Sequence, residues 1–432
     1  MTRSEYLETI EGQYNERQKR EMRILYLDIK QEPKSKKGIS KQEKLFFRQE
    51  VKRQLKAMRR RPYVGDIILE IDYFTTQNNP PMLHNLSKNY LDLLHKPMPD
   101  IDSYKGILFK DDSQIKILIS HYHLDEFKTQ KPHIRISSYS LSDFYKDIEL
   151  ADKILNNNFT FLECGLNSEL RNYYEQEIEL DDDFGLFDEL KELENNRNFW
   201  INNFGENIFY STKQYLKRKL QERYLKINKL ELFELITLLE SKLSLHKKYA
   251  NDMRFKEIWE SLNFSRNLIL LESNFLELGN APSKKGETTI FKENLKNKLK
   301  HFKRKHKILF PLLQPISVII LFIPPKHNVI DLDNLALYIV PFVNDILNPP
   351  ASFLFSYNKK QLNKLLNKEA KLAQRFYPSS ITSYQLIHLP REINDPDNGD
   401  IKFIITDDLY NKSSVWKIIN NFIEKWEELI NR

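Results

Sequence analysis

Runs of apolar residues recur along the chain in a fixed order. Arg23 to Ile29 (RILYLDI) is an apolar run, the polar linker Ser35-Lys36-Lys37-Gly38 follows, and Ser40 to Arg60 has the spacing of a helix. Asp66 to Tyr73 (DIILEIDY) is rich in β-branched residues with partial alternation, which predicts a strand. The second half repeats that order, with Asn267 to Leu271 as the apolar run and Ser283-Lys284-Lys285-Gly286 as the linker. Ile290 to Lys307 is then the helix and Ile316 to Ile323 (ISVIILFI) the strand. After each strand a Pro-containing loop leads to an Asn-Leu pair that opens a helix, Asn85-Leu86 to Leu94 and Asn334-Leu335 to Leu347. Each series closes on a strand and a helix: His133 to Ser137 with Leu141 to Leu155, and Ile401 to Thr406 with Ser414 to Ile430, where Ser414 suits an N-cap. A repeat of this period signals internal duplication.

Between the two series, roughly Asn156 to Phe264, the pattern is mainly helical. It includes an acidic cluster, Asp181-Asp182-Asp183, and a basic-aromatic run from Lys213 to Lys229. Leu230, Leu232, Phe233, Leu235 and Ile236 have helical spacing and read as core. The expected class is α+β: a mixed α/β half over 1–155, a helical linker or insertion over 156–264 and a second mixed half over 265–432, the halves forming a pseudo-dimer.

Composition narrows the setting. Apolar residues at 41% mark a globular chain, and 432 residues suffice for two or three domains. Cys164 is the only cysteine, so no internal disulfide can form, and a reducing, cytoplasmic compartment is expected. Met1 to Arg23 is polar throughout and supplies no apolar core for a secretory signal. The most apolar stretch, Ile308 to Pro325, is interrupted by Gln314 and prolines, which argues against a membrane span. A net charge of +7 favours a polyanionic partner only weakly on a chain this long.

Candidate chemistry lies at the strand-to-helix junctions. Asp331-Leu332-Asp333-Asn334-Leu335 sets two carboxylates two residues apart, and in an extended backbone alternate residues project to one side. Such a pair can share Mg²⁺ or Mn²⁺, which take oxygen ligands; it can equally cap the following helix. The matching loop of the first half, Met82-Leu83-His84-Asn85-Leu86, has neither carboxylate. It is followed instead by Lys88 and Asp92, and later by Lys110-Asp111-Asp112-Ser113-Gln114-Ile115 leading into a strand. Read alone, the acidic pair there is either a ligand pair or a solvated turn.

The order D-x-D-N-x-x-K, then D-D-S-Q-I, resembles the RusA-type Holliday junction resolvases, over about Arg23 to Ser140 and more faintly over Asn267 to Thr406. The resemblance implies metal-dependent cleavage of branched DNA. It assigns the D-x-D role to Asp331 and Asp333, the D-D role to Asp111 and Asp112, and the supporting lysine to Lys88, with Asp331, Asp333 and Asp112 on the metal. Met82 and His84 depart from this pattern in the first half, as do Leu337 and Ser379-Ser380 in the second, where Ala351 to Tyr377 reads as an insertion. Because the losses are complementary, the expectation is one composite site, provided that Asp111 or Asp112 approaches Asp331 and Asp333. The alternative is a catalytically inactive subunit that binds branched DNA in a mobile-element or phage-defence complex.

Basic residues recur at helical spacing in both halves: Lys52, Lys56 and Arg59 ahead of Arg60 and Arg61, and Lys296, Lys300, Lys303, Arg304 and Lys307. They are candidate contacts to DNA phosphates, or simply a solvated face. His121-Tyr122-His123 can place two imidazoles on one strand face, yet no Cys or further close-set His completes a zinc site, so none is expected. No phosphate-binding P-loop and no GxSxG elbow is present.

Overall fold

The β-branched runs become strands of one mixed sheet and the amphipathic segments become helices packed on it, so the fold is α+β. The computed structural model describes residues 2–77, 80–95, 107–124, 131–155, 181–206, 208–213, 215–216, 276–279, 282, 288–305, 316–347, 381–391 and 395–407, with 420, 423–424 and 426–428 near the C-terminus.

The strands are β1 (Leu25–Ile29), β2 (Ile67–Thr75), β3 (Ile115–Leu124), β4 (His133–Ser140), β5 (Leu276–Gly279), β6 (Ile316–Ile323), β7 (Ile381–His388) and β8 (Asp400–Asp407). They lie in the order β1-β4-β2-β3-β7-β6-β8-β5. The pairs β2–β3 and β6–β7 are parallel and the rest antiparallel. Read from either edge, order and directions are the same. At the centre Ile119 faces Gln385, and Ile117–Ile387 and His121–Ser383 flank that pair symmetrically. Both parallel ladders shift register at their first step, between Ile67 and Ile68 and between Ile316 and Ser317.

The helices are α1 (Arg3–Glu8), α2 (Ile10–Glu21), α3 (Lys41–Ala57), α4 (Leu83–His95), α5 (Leu141–Leu155), α6 (Asp181–Asn195), α7 (Arg197–Phe204), α8 (Thr288–Lys305) and α9 (Leu332–Leu347). Ser40 and Glu43 form a capping box that starts α3. Across one face of the sheet α3 packs on α4, α4 on α9 and α9 on α8. Each turns an apolar stripe inward: Phe47, Val51 and Leu55; Leu86, Tyr90 and Leu94; Leu335, Ile339 and Val343; Leu295 and Leu299. These stripes meet Leu69, Ile71 and Tyr73 of β2 and Val318, Ile320 and Phe322 of β6. The middle region is helical where described, and its Leu190, Leu193, Phe209 and Leu216 join the same core.

The reverse face of the first half is closed differently. Tyr139 alternates with the core residues Ile134 and Ile136 and so points the other way. There its hydroxyl donates to Asp147 of α5, Arg20 Nε of α2 donates to Asp147 Oδ1 at 2.6 Å, and Arg17 reaches Asn420 Oδ1 at 3.1 Å.

Several expectations need correction. Met1 to Arg23, read only as polar, holds two helices; the buried residues of α2 are Gly12, Arg17 and Arg20, so no apolar period announces it. The edge strand of the second half is Leu276–Gly279, whereas Asn267 to Leu271 lies outside the described residues. So do Ser283 to Gly286, Leu230 to Leu239, most of Lys213 to Lys229, Ala351 to Ser380, Ser414, Cys164 and Lys307. No described helix is long and apolar enough to cross a membrane.

Candidate functional site

Helices α4 and α9 begin before their Asn-Leu pairs, and this alters the geometry of the acidic loop. Asp333 lies in the first turn of α9, and the carbonyl of Asp331 accepts the N–H of Leu335 at 3.0 Å. The expected extended loop, with both carboxylates on one side, is therefore replaced by a helix start. Asp333 is 4% exposed, and its Oδ1 accepts the N–H of Asn334 at 2.6 Å, so the capping reading holds in part.

Because α4 packs on α9, a residue of the first half meets one of the second: Lys88 Nζ donates to Asp333 Oδ2 at 2.5 Å. Burial lowers the Lys88 pKa, but Asp333 together with the charges of Asp92 and Asp112 outweighs it, and the net shift is upward. Asp112 opens a 3₁₀ turn, Asp112–Gln114, that packs against α9. Its Oδ1 is buried with no hydrogen-bond partner, and its pKa is pushed up to about 6, first by burial and then by the charge of Asp333. Asp331 adds to that push, while His95 and Lys88 oppose it. Asp331, Asp333, Asp112 and Lys88 thus interact across the two halves.

Asp111 points elsewhere. Its carboxylate accepts the N–H of Ser113 at 2.8 Å as the N-cap of the turn, and it is exposed. Gln114 fastens the same turn, accepting from the N–H groups of Lys110 and Asp111 and donating to Gly65 O at 2.8 Å. The D-D-S-Q-I run is thus largely a turn with one carboxylate, Asp112, turned inward. His84, which stands where Asp333 stands in the other half, is buried, and burial holds its pKa down at about 4.

No family model, curated protein or solved structure matches the chain.

The basic stripes divide. Lys56, Arg59, Arg60 and Arg61 are exposed, as are Lys296, Lys300 and Arg304. Lys52 is half-buried, and burial lowers its pKa. Lys303 is committed inside the fold, its ammonium donating to Ile346 O at 2.6 Å near the C-terminus of α9.

A second polar group lies on the other face of the sheet. On β2 Glu70 and Asp72 alternate with core residues, and on β3 His121 and His123 do the same. Asp72 pairs in register with His121, so all four project to one side. Asp72 Oδ1 lies 3.1 Å from His121 Nδ1 and 2.9 Å from His123 Nε2. Burial alone would raise the Asp72 pKa, but hydrogen bonds from the two histidines hold it well below the carboxylate range. Ligand atoms of Asp72, His121 and His123 lie within 4.8 Å of one another, so this trio could hold a metal ion; no other described trio of His, Cys, Asp or Glu meets that spacing.

For the histidine pair, which no Cys or further close-set His completes, the trio offers a carboxylate, Asp72, as a third ligand. Its signal was present in the sequence: Glu70-x-Asp72 interrupts an apolar strand with the same period of two as His121-x-His123.

Proposed function

We propose that the chain is a fused pseudo-dimer of two RusA-like halves that acts as a Mg²⁺- or Mn²⁺-dependent endonuclease on branched DNA through one composite site. The observation that carries this reading is the contact between halves, Lys88 with Asp333, beside Asp112, whose proton affinity rises first by burial and then by the charge of Asp333. A sheet that reads the same from both edges supports the duplication. Asp331, Asp333 and Asp112 carry three negative charges when ionised against one ammonium, an excess suited to a hard divalent cation. The unpartnered Oδ1 of Asp112 is a fitting donor for it.

A bound divalent ion supplies Lewis-acid stabilisation and water activation. The chain's own groups prepare the place. Lys88 holds Asp333 and balances part of the charge, and the α9 backbone fixes Asp333 through Asn334. Exposed bases on α3 and α8 track phosphates without reading sequence. One composite site nicks one strand per engagement.

One observation favours the second reading, an inactive branched-DNA-binding subunit: Lys88 already neutralises Asp333, as a resident counter-ion would where no metal binds. A labelled four-way junction separates the two. The nuclease reading expects cleavage with Mg²⁺ or Mn²⁺, lost by more than ~100-fold in both Asp333→Asn and Asp112→Asn. Salt-sensitive junction binding without cleavage in either metal leaves the binding subunit, and neither binding nor cleavage overturns both.

A further inference from the structure

We propose that Asp72, His121 and His123 form a second metal site, distinct from the Lys88–Asp333 cluster, that binds a zinc-class transition-metal ion and clamps β2 to β3. The donor set is two imidazoles and one carboxylate, with the fourth position left to water, a mixture that favours Zn²⁺ over Mg²⁺ or Ca²⁺. At zinc–ligand distances of ~2.0–2.1 Å, neighbouring corners of a tetrahedron lie ~3.3 Å apart. The separations here are close to that edge: 3.1 Å from His121 Nδ1 to Asp72 Oδ1 and 2.9 Å from His123 Nε2 to the same oxygen.

The surroundings hold these ligands in place. Phe74 stacks between His123 and His133, with centroids 4.2 and 3.9 Å away, and fixes the plane of the His123 ring. Ser137 Oγ donates to Glu70 Oε2 at 3.3 Å and holds that carboxylate beside His121. A cavity of about 300 Å³ runs past Glu70, Asp72 and His123, giving an ion a way in.

The second half shows that the sheet itself does not require polar residues there. In register, Glu70, Asp72, His121 and His123 correspond to Ile319, Leu321, Ile387 and Leu389, each 2% exposed or less. Burying two carboxylates and the His121 imidazole, with His123 partly covered, where aliphatic residues suffice is costly unless they are paired with something that repays it. A cation bound by Asp72, His121 and His123 does so.

The test uses the full chain, stripped of metal and titrated with Zn²⁺ against a chromophoric chelator, with Co²⁺ as a spectroscopic probe. The expected result is one Zn²⁺ per chain that survives Asp333→Asn, with intense tetrahedral Co²⁺ bands. Affinity should fall more than ~100-fold in His123→Ala, chosen because this residue is partly exposed and its loss is tolerated by packing better than that of His121. Zn²⁺ should also raise the melting temperature of the wild-type chain but not of Asp72→Asn, which keeps the proposal testable should His123→Ala fold poorly. Zn²⁺ affinity unchanged in His123→Ala and Asp72→Asn, weak aqua-like Co²⁺ bands, or zinc lost in Asp333→Asn would each overturn it.

Discussion

The two halves agree on one face of the sheet and part company on the other. Under the helices, Leu86, Tyr90 and Leu94 of α4 have their counterparts in Leu335, Ile339 and Val343 of α9, all buried. On the reverse face, two carboxylates and two histidines of the first half stand where the second half has four aliphatic residues. At the helix pair the exchange runs both ways: Lys88 is matched by Leu337, and Asp333 by His84. The comparison separates what the fold demands from what has been added to it. Apolar packing between the helices and the sheet is common to both halves and is the demand; each of these charged groups occurs in one half only.

The largest effect expected on this contrast comes from Asp147, whose cluster with Arg17, Arg20 and Tyr139 closes the first half's reverse face. Asp147→Ala leaves the buried Arg20 guanidinium without its carboxylate and Arg17 with Glu21 as its carboxylate partner, and should cost ~3–5 kcal/mol of unfolding free energy in denaturant titrations. A loss under ~1 kcal/mol would mean that α2 and α5 are held by packing alone. A smaller effect, of opposite sign, is expected when the first half is given the second half's residues through Glu70→Ile, Asp72→Leu, His121→Ile and His123→Leu. With chelator present, this fourfold variant should be ~1–4 kcal/mol more stable than wild type, since a buried polar cluster is replaced by aliphatic side chains. Destabilisation instead would show that the two backbones have diverged in shape as well as in charge.

How much of this was legible in the sequence follows from where each signal is stored. Ile316–Ile323 and Leu141–Leu155 match the reading at both ends, because a run dominated by β-branched and other apolar residues and a helical stripe are local features. The start of α3 was legible through Ser40. Helix α2 was not, because it buries arginines, and their partner Asp147 is more than a hundred residues away in sequence. The starts of α4 and α9 were placed too late, since Leu83 and Leu332 are buried at the helix ends and look like loop residues when read alone. The acidic groups were legible as residue types, but the Lys88–Asp333 contact depends on how α4 crosses α9. The pairing of Asp72 with His121 depends on a parallel register that no local stretch encodes.

The smallest effect isolates the charge interaction between the halves. The folded-state pKa of Asp112 is about 6 against an ordinary 3.8, so the folded chain holds a proton there that the unfolded chain releases. The sign follows: ionising Asp112 costs stability, progressively as pH rises from ~4 to ~6, and the cost is fully present above that window. Asp112→Asn removes it. Because the residue is only partly buried, solvent screening reduces the expected gain to ~1 kcal/mol at pH 8, with no gain at pH 3. Asp333→Asn should draw the Asp112 midpoint back toward 4 in a carboxyl-resolved NMR titration, since Asp333 is its largest charged neighbour. Equal stabilities of Asp112→Asn and wild type at both pH values, with a midpoint indifferent to Asp333, would mean that the two halves lie side by side without sharing a site.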